Sequence, residues 1–388
     1  MEHSSVAAAS RAEAGSRPLV RWHTTDEEIT ALRGPWTALE QRAEMNTVFA
    51  RWLFRVLWYR CFAPDGDSPL CGTLWHDGEL IGVAPMVLRR TRMHGVPVLR
   101  VDFSGYQIKQ GEFLCDPACT ETAERLFRAI LEDIRPDVGT IIGPPIESSS
   151  FGALRSIAVA HGFEIVARPH HYSIIRLDAG YDAYFASLKR AFRSNVRRYE
   201  RRLREHAVRQ EAFGNRPHDP AIVRAAVDRM VSVVRSSWRA DYGESMPQSW
   251  RSIYTDAALA FAEEGNLRLD FLVIDETDAA FLYALLDGDT LYDMTIGYRK
   301  EFKPLAPGTV LMQRLLRRYA AEGIKTVVSQ GPYPYKRHWS TGQIPQSELF
   351  FFGPSVRGRL SRFIHVHAIP HVEAWRAKHS RWYGAENR

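Results

Sequence analysis

The chain has 388 residues, of which 45% are hydrophobic and 25% charged. That length suits two average domains with a substantial buried core, and the balance excludes a fibrous or wholly disordered chain. Lys and Arg total 51 against 45 Asp and Glu, a formal net charge of +6. The excess favours anionic partners such as a phosphorylated cofactor, nucleic acid or a membrane face, without choosing among them.

No apolar run reaches the roughly 18 residues that span a bilayer. Residues 1–18 contain no apolar signal-peptide core and read as a disordered tail, so a cytoplasmic protein is expected. Cys61, Cys71, Cys115 and Cys119 all fall in the first third, with no CxxC pair and no histidines spaced for zinc. They read as reduced structural thiols, and no metal is expected.

In chain order, helical patterns cover Thr25 to Glu44 and Thr47 to Arg60. A hairpin follows, with Leu70 to Trp75 and Ile81 to Leu88 flanking the turn His76-Asp77-Gly78-Glu79. Strands are expected at Val98 to Phe103 and Thr140 to Gly143, around a helix at Glu121 to Ile134. A helix from Ser148 to His161 leads to strands at Phe163 to Val166 and Tyr172 to Leu177. Such alternation argues for a sheet flanked by helices.

Asp182 to His206 reads as one two-sided helix. Leu188, Phe192, Val196, Tyr199 and Leu203 form an apolar stripe, while Arg190, Arg193, Arg197, Arg201 and Arg204 form a basic one. The basic stripe is either the solvated face of a helix linking two domains or a strip for recognising phosphates. Helices at Pro220 to Arg239 and Ser249 to Glu264 follow, then strands at Leu267 to Ile274, Ala279 to Asp287 and Thr290 to Ile296. A late strand, Glu348 to Phe352, could close that sheet, and the basic tail from Val356 should be helical. His365, His367 and His371 fit a basic surface helix better than a metal cluster.

The densest information lies between Leu291 and Trp339. A strand ends at Gly297, a loop with two prolines follows, and a helix opens at Gly308-Thr309. A helix start offers unpaired amides and the positive end of the dipole to an anion. Gly323 stops the helix, Ile324 to Val328 resume as a strand, and Tyr335-Lys336-Arg337-His338-Trp339 make a polar cluster. The layout suits a phosphorylated cofactor held beside a second substrate.

Four segments here, Gly297-Tyr298, Leu305 to Leu311, Ala321-Glu322-Gly323 and Pro334 to Trp339, together with Asp182 to Leu203 upstream, resemble the CelD/BcsL-type acyltransferases. That family is a branch of the GNAT superfamily related to the Fem peptidyltransferases. The resemblance spans roughly residues 175 to 345; Val327 and Pro332 stand where the family often has acidic residues. It implies an α/β (α+β) chain of two tandem GNAT-like domains, each a mixed sheet flanked by helices. The expected division is a tail over 1–18, an N-terminal domain over 19–178, a C-terminal acyltransferase domain over 179–355 and a basic helical tail over 356–388.

By the same resemblance, acetyl-CoA or a longer acyl-CoA is the donor and lies along the strand Tyr292 to Tyr298. Pro307, Gly308, Thr309 and Val310 would cradle its pyrophosphate; the less favoured alternative is a plain helix start in which Pro307 and Gly308 merely turn the chain. Asp293, a carboxylate inside an apolar strand, is one candidate general base, since burial would raise its pKa. His338 is the competing base. Tyr335 could protonate a departing thiolate and Lys336 could hold a phosphate. Arg193, Arg197, Tyr298, Arg299 and Trp339 are candidate substrate contacts.

The expected function is N-acyl transfer from acyl-CoA to an amine on a small molecule or glycan. The alternatives are a Fem-like transferase dependent on aminoacyl-tRNA, motivated by the arginine stripe, or a non-catalytic GNAT-like binding protein, motivated by Val327 and Pro332. Peripheral contact with a membrane stays open.

Overall fold

The computed structural model describes residues 19–43, 47–63, 66–105, 113–237, 246–329 and 334–372, without the side chains of 334 and 335. The first half runs β1 (Val20–His23), α1 (Asp26–Ala31), α2 (Arg33–Arg42), α3 (Trp52–Phe62), β2 (Ser68–His76), β3 (Glu79–Met93), β4 (Val96–Phe103), β5 (Leu114–Cys115), α4 (Thr122–Ala129), β6 (Val138–Gly143), α5 (Ser149–Ala160) and β7 (Glu164–Arg176). The second runs α6 (Tyr181–Ser187), α7 (Arg190–Arg202), β8 (Val208–Phe213), α8 (Pro220–Arg235), α9 (Gln248–Glu263), β9 (Leu267–Ile274), β10 (Thr277–Asp287), β11 (Thr290–Tyr298), α10 (Pro307–Ala321), β12 (Thr326–Ser329), β13 (Gly342–Phe352) and α11 (Val356–Phe363).

All the strands join one mixed sheet in the order β1-β2-β3-β4-β6-β13-β7-β12-β11-β10-β9-β8, with β5 on β3. The two halves repeat the same plan. Three antiparallel pairings (β1 to β4, and β8 to β11) precede a helix and a parallel partner, β6 on β4 and β12 on β11. The last strand of each half is then traded. β13 pairs with β6, β7 pairs with β12, and β7 and β13 pair with each other from Gly342↔Ile174 to Phe352↔Glu164. This is the tandem α/β arrangement, and its seam runs through the middle of the sheet.

Alternating side chains explain why the sheet is covered on both faces. In β10, Phe281, Tyr283 and Leu285 join the core under α8 and α9, while Ala280, Leu282 and Ala284 join the core under α6, α7 and α10. The first core also takes Phe49, Phe54 and Trp58 from the other half, so α3 bridges the two. In the first half, α4 and α5 cover one face and α1, α2 and α3 the other.

Several elements differ from the sequence reading. The strands expected at Phe163 to Val166 and Tyr172 to Leu177 are one strand, Glu164–Arg176, because β7 is held by β13 through Pro169 to Tyr172 as well. The helix expected over Asp182 to His206 breaks where Leu188 and Lys189 adopt extended ψ values of 155° and 132°. Burial of Leu188 fixes that corner. β13 pairs with β6 and β7, and so closes the centre of the sheet rather than an end of the second half. The tail over 1–18 lies outside the described residues.

Candidate active site

The parallel ladder between β11 and β12 covers Thr290 to Asp293 and stops where Asp293 faces Ser329. From Thr295 to Tyr298, β11 continues on β10 alone among the described residues. The register jumps here: Thr295 faces Tyr283 but Asp293 faces Ala284, which leaves Met294 as an extra residue. Such a bulge bends its strand and re-aims side chains. Past Asp293, the backbone edge of β11 that faced β12 has no strand partner among the described residues. Gly297 sits in this stretch because a Cβ there would come within 2.6 Å of the Phe281 ring.

Asp293 lies at the fork, 1% exposed. Its Oδ2 accepts a hydrogen bond from the Ser329 hydroxyl at 2.6 Å and lies 3.3 Å from the Lys336 ammonium. Oδ1 is buried with no hydrogen-bond partner among the described residues. A buried carboxylate needs its charge met; here one oxygen is committed and the other is open. Lys336, expected at the cofactor phosphates, is instead buried as the partner of Asp293. Ser329 is the member of this group that the sequence reading missed, since only the β11–β12 register brings it opposite Asp293.

Lys336 belongs to the short turn Pro334–His338. The side chain of Tyr335, and Pro332 just before the turn, lie outside the described residues. His338 is exposed and stacks on Phe192 of α7 at 5.2 Å between centroids. Trp339 is 4% exposed, packs edge-on against Phe192, and its carbonyl accepts the Tyr184 hydroxyl at 2.8 Å. Trp339 is thus a packing residue of the core, where a substrate contact was expected.

The start of α10 lies beside the open edge, since the Gly308 α-carbon faces the Tyr298 ring. Ala306 caps the helix in the left-handed region, at φ 48°, and Pro307 takes the first helical position, where its fixed φ is already suitable. The Thr309 and Val310 amides bond back to the Ala306 carbonyl at 3.0 and 3.2 Å. Pro307 has no amide hydrogen, so of the four expected cradle residues Gly308 alone offers an amide with no partner among the described residues. The Val310 side chain is fully buried in the core. No acidic residue occupies the first turn of α10.

Tyr298 is half-buried, and burial pushes its hydroxyl pKa up. Arg299 does not face the opening. It donates to the Asp278 carbonyl at 3.0 Å and to the Ser236 and Ser232 hydroxyls at 2.7 and 2.9 Å, which ties β11 to α8 and corrects its assignment as a substrate contact. Arg197 is exposed, with its guanidinium over the Phe185 ring. Arg193 is partly buried and its Nε has no partner among the described residues. α7 runs beside the site: Phe192 meets His338, Glu200 grips Arg314 of α10, and Arg202 donates to the Pro304 carbonyl.

The first half holds the counterpart of this fork, filled differently. Asp102 ends the β4–β6 ladder opposite Thr140 and is fully buried, as Asp293 is opposite Ser329. It is clamped by Arg89 and Arg100, which leaves no open oxygen. α4 is likewise capped by a left-handed residue, but that residue is Glu121, and Glu124 sits in the first turn. Two carboxylates at a helix start repel an anion. The first turn of α10 has no such carboxylate.

Elsewhere the candidates are structural. His365 is buried between His94 and Arg168 and apart from any metal-binding group; among the described residues no three His, Cys, Asp or Glu side chains are placed to hold a metal ion. Burial pushes the Cys61 and Cys115 thiols up to about 12. No described helix is long and apolar enough to cross a membrane.

Residues 190–337 match the family described as an acetyltransferase (GNAT) domain, which covers the fork, α10 and the turn with Lys336. No curated protein matches the sequence. Among solved structures, FemX is similar over 89% of this chain and 99% of its own, with 13% identity and a TM-score of 0.59. A conserved protein of unknown function from Bacteroides thetaiotaomicron is similar over 86% of this chain and 100% of its own, with 12% identity and a TM-score of 0.51. L-PGS from Bacillus licheniformis is similar over 85% and 96%, with 9% identity and a TM-score of 0.50. At such identities the likeness is one of fold.

Proposed function

We propose that this chain, which carries a GNAT acetyltransferase domain, is an N-acyltransferase that moves an acyl group from acyl-CoA to an amine on a small molecule or glycan, with residues 179–355 as the catalytic half. One observation carries the reading: a buried carboxylate, one oxygen of which has no partner among the described residues, ends the described β11–β12 ladder, on the strand that runs to a helix start with no acidic residue in its first turn. The donor supplies an activated thioester.

The chain supplies position and proton handling. The edge of β11 from Thr295 to Tyr298 receives the extended arm of the donor by backbone hydrogen bonds, and the Gly308 amide meets its diphosphate. The amine nitrogen attacks the thioester carbon, the C–S bond breaks, and the amine proton passes to Asp293 Oδ1. Lys336 and Ser329 fix the other oxygen and so aim the carboxylate. Tyr335, on the same turn as Lys336, is placed in sequence to protonate the departing thiolate. His338, exposed and stacked on Phe192, is the second candidate base.

Titration calorimetry with acetyl-CoA and longer acyl-CoAs tests this reading, followed by a mass-spectrometric screen of donors against amines. Binding of at least one acyl-CoA, lost in a Gly308→Pro variant that still folds, is expected. No binding of any acyl-CoA would overturn it. A second reading, a donor esterified to tRNA, is favoured by the arginines of α7 beside the site and by the fold shared with FemX. It predicts tRNA binding that weakens steeply with salt, and it fails if tRNA does not bind at low salt.

A further inference from the structure

The C-terminal helix turns its apolar side the wrong way for an ordinary surface helix. From Val356 the chain stays helical through a wide turn at Ile364–Ala368 to Val372. Its inward positions are Gly358, Ser361 and His365. Gly358 abuts the carbonyls of Gly353 and Asp137, Ser361 is fully buried, and His365 packs on Phe350 and Phe352. The outward positions Val356, Leu360 and Phe363, spaced by four and three residues, are 83%, 47% and 60% exposed. A helix that serves only to cover its own protein buries such a stripe. Of the large hydrophobic side chains exposed among the described residues, four lie between Val356 and Val372.

The charges beside the stripe have one sign. Between Gly353 and Val372 there are Arg357, Arg359 and Arg362 and no Asp or Glu. Arg362 is taken by Glu164, whereas Arg357 and Arg359 are exposed next to Val356 and Leu360. We propose that this face seats on an anionic lipid surface, with Val356, Leu360 and Phe363 in the interfacial layer and Arg357 and Arg359 on the lipid phosphates. A protruding apolar ridge with arginines along its border fits a headgroup layer, where long basic side chains reach phosphate while apolar ones dip below. A second copy of the helix fits it poorly, because pairing two such faces would bring four arginines together with no carboxylate between Val356 and Val372 of either helix to meet them.

The full chain is mixed with vesicles of phosphatidylcholine alone and with vesicles in which about a third of the lipid is phosphatidylglycerol, and bound protein is separated by flotation. Binding to the anionic vesicles is expected, with roughly tenfold less on phosphatidylcholine and a marked loss as salt is raised. Leu360→Ser and Phe363→Ser together should lower binding about tenfold, and Arg357→Gln with Arg359→Gln should lower it and flatten the salt dependence. All four positions are exposed, so thermal melting of the variants should match that of the parent chain. The proposal is overturned if the parent chain does not bind anionic vesicles, or if it binds equally after the serine substitutions. It is also overturned if the parent sediments as a dimer that Phe363→Ser dissociates and no vesicle binding accompanies it, since the stripe would then be a contact between copies.

Discussion

Removing the ammonium of Lys336 should expose how much of the fork depends on one ion pair. Asp293 is 1% exposed and Lys336 8%, and the separation is 3.3 Å. At an effective dielectric constant near 20, opposite unit charges at that separation attract by about 5 kcal/mol, and the cost of keeping both out of water offsets part of this. Lys336→Met leaves Asp293 with the Ser329 hydroxyl as its one described donor and should cost about 3 kcal/mol in urea unfolding at neutral pH. Asp293→Asn removes the carboxylate that faces the ammonium and should also destabilise the chain. The double variant has no buried charge to strand, so its loss should fall about 2 kcal/mol or more short of the sum of the two single losses. If the two losses simply add, the residues are not coupled, and the account of Lys336 as the group that holds Asp293 fails.

Arg299→Ala removes three side-chain hydrogen bonds to α8 and β10 and should destabilise the chain by about 3 kcal/mol, while acyl-CoA affinity by calorimetry changes less than about twofold. His365 has its pKa lowered from 6.5 to about 4, by burial first and then by Arg168 and His94. Stability from this group is therefore complete above the unfolded value and is lost as pH falls from about 6.5 to 4, by at most about 3 kcal/mol. A His365→Leu chain should lose less stability over that window in parallel urea titrations. A Cβ on Gly139 would land inside the Phe351 ring, so Gly139→Ala should cost about 3 kcal/mol or prevent folding. Gly152, in α5 with nothing near its missing Cβ, should gain about 0.5–1 kcal/mol as alanine; thermal melts distinguish the two.

Elements with a strong local pattern were legible. α10 was legible from its opening at Gly308-Thr309 after two prolines and from Gly323, at φ 84° just past its end. The core strands β9 and β10 read directly from alternating or continuous apolar runs. The edge strands β1 and β8 did not, because they are short, half-exposed and fixed by pairing with β2 and β9. Asp293 was legible as an odd carboxylate in an apolar strand, but its partners were not. Ser329 and Lys336 reach it through strand register and a turn, which local sequence does not encode. Arg299 and Trp339 looked available because their positions flank the site; their side chains are used up by long-range contacts with Ser232, Ser236 and Phe192.

The exchange of β7 and β13 has a consequence for how the polypeptide is made. β6 must wait for β13, which emerges some two hundred positions later along the chain, before its second edge is covered. Contacts so distant in sequence are slow to close, and strand edges left bare in the meantime invite adhesion to other chains. The nascent first half therefore leaves the ribosome unfinished, and termination anywhere upstream of Gly342 would leave both β6 and β7 with an exposed flank at the centre of the molecule.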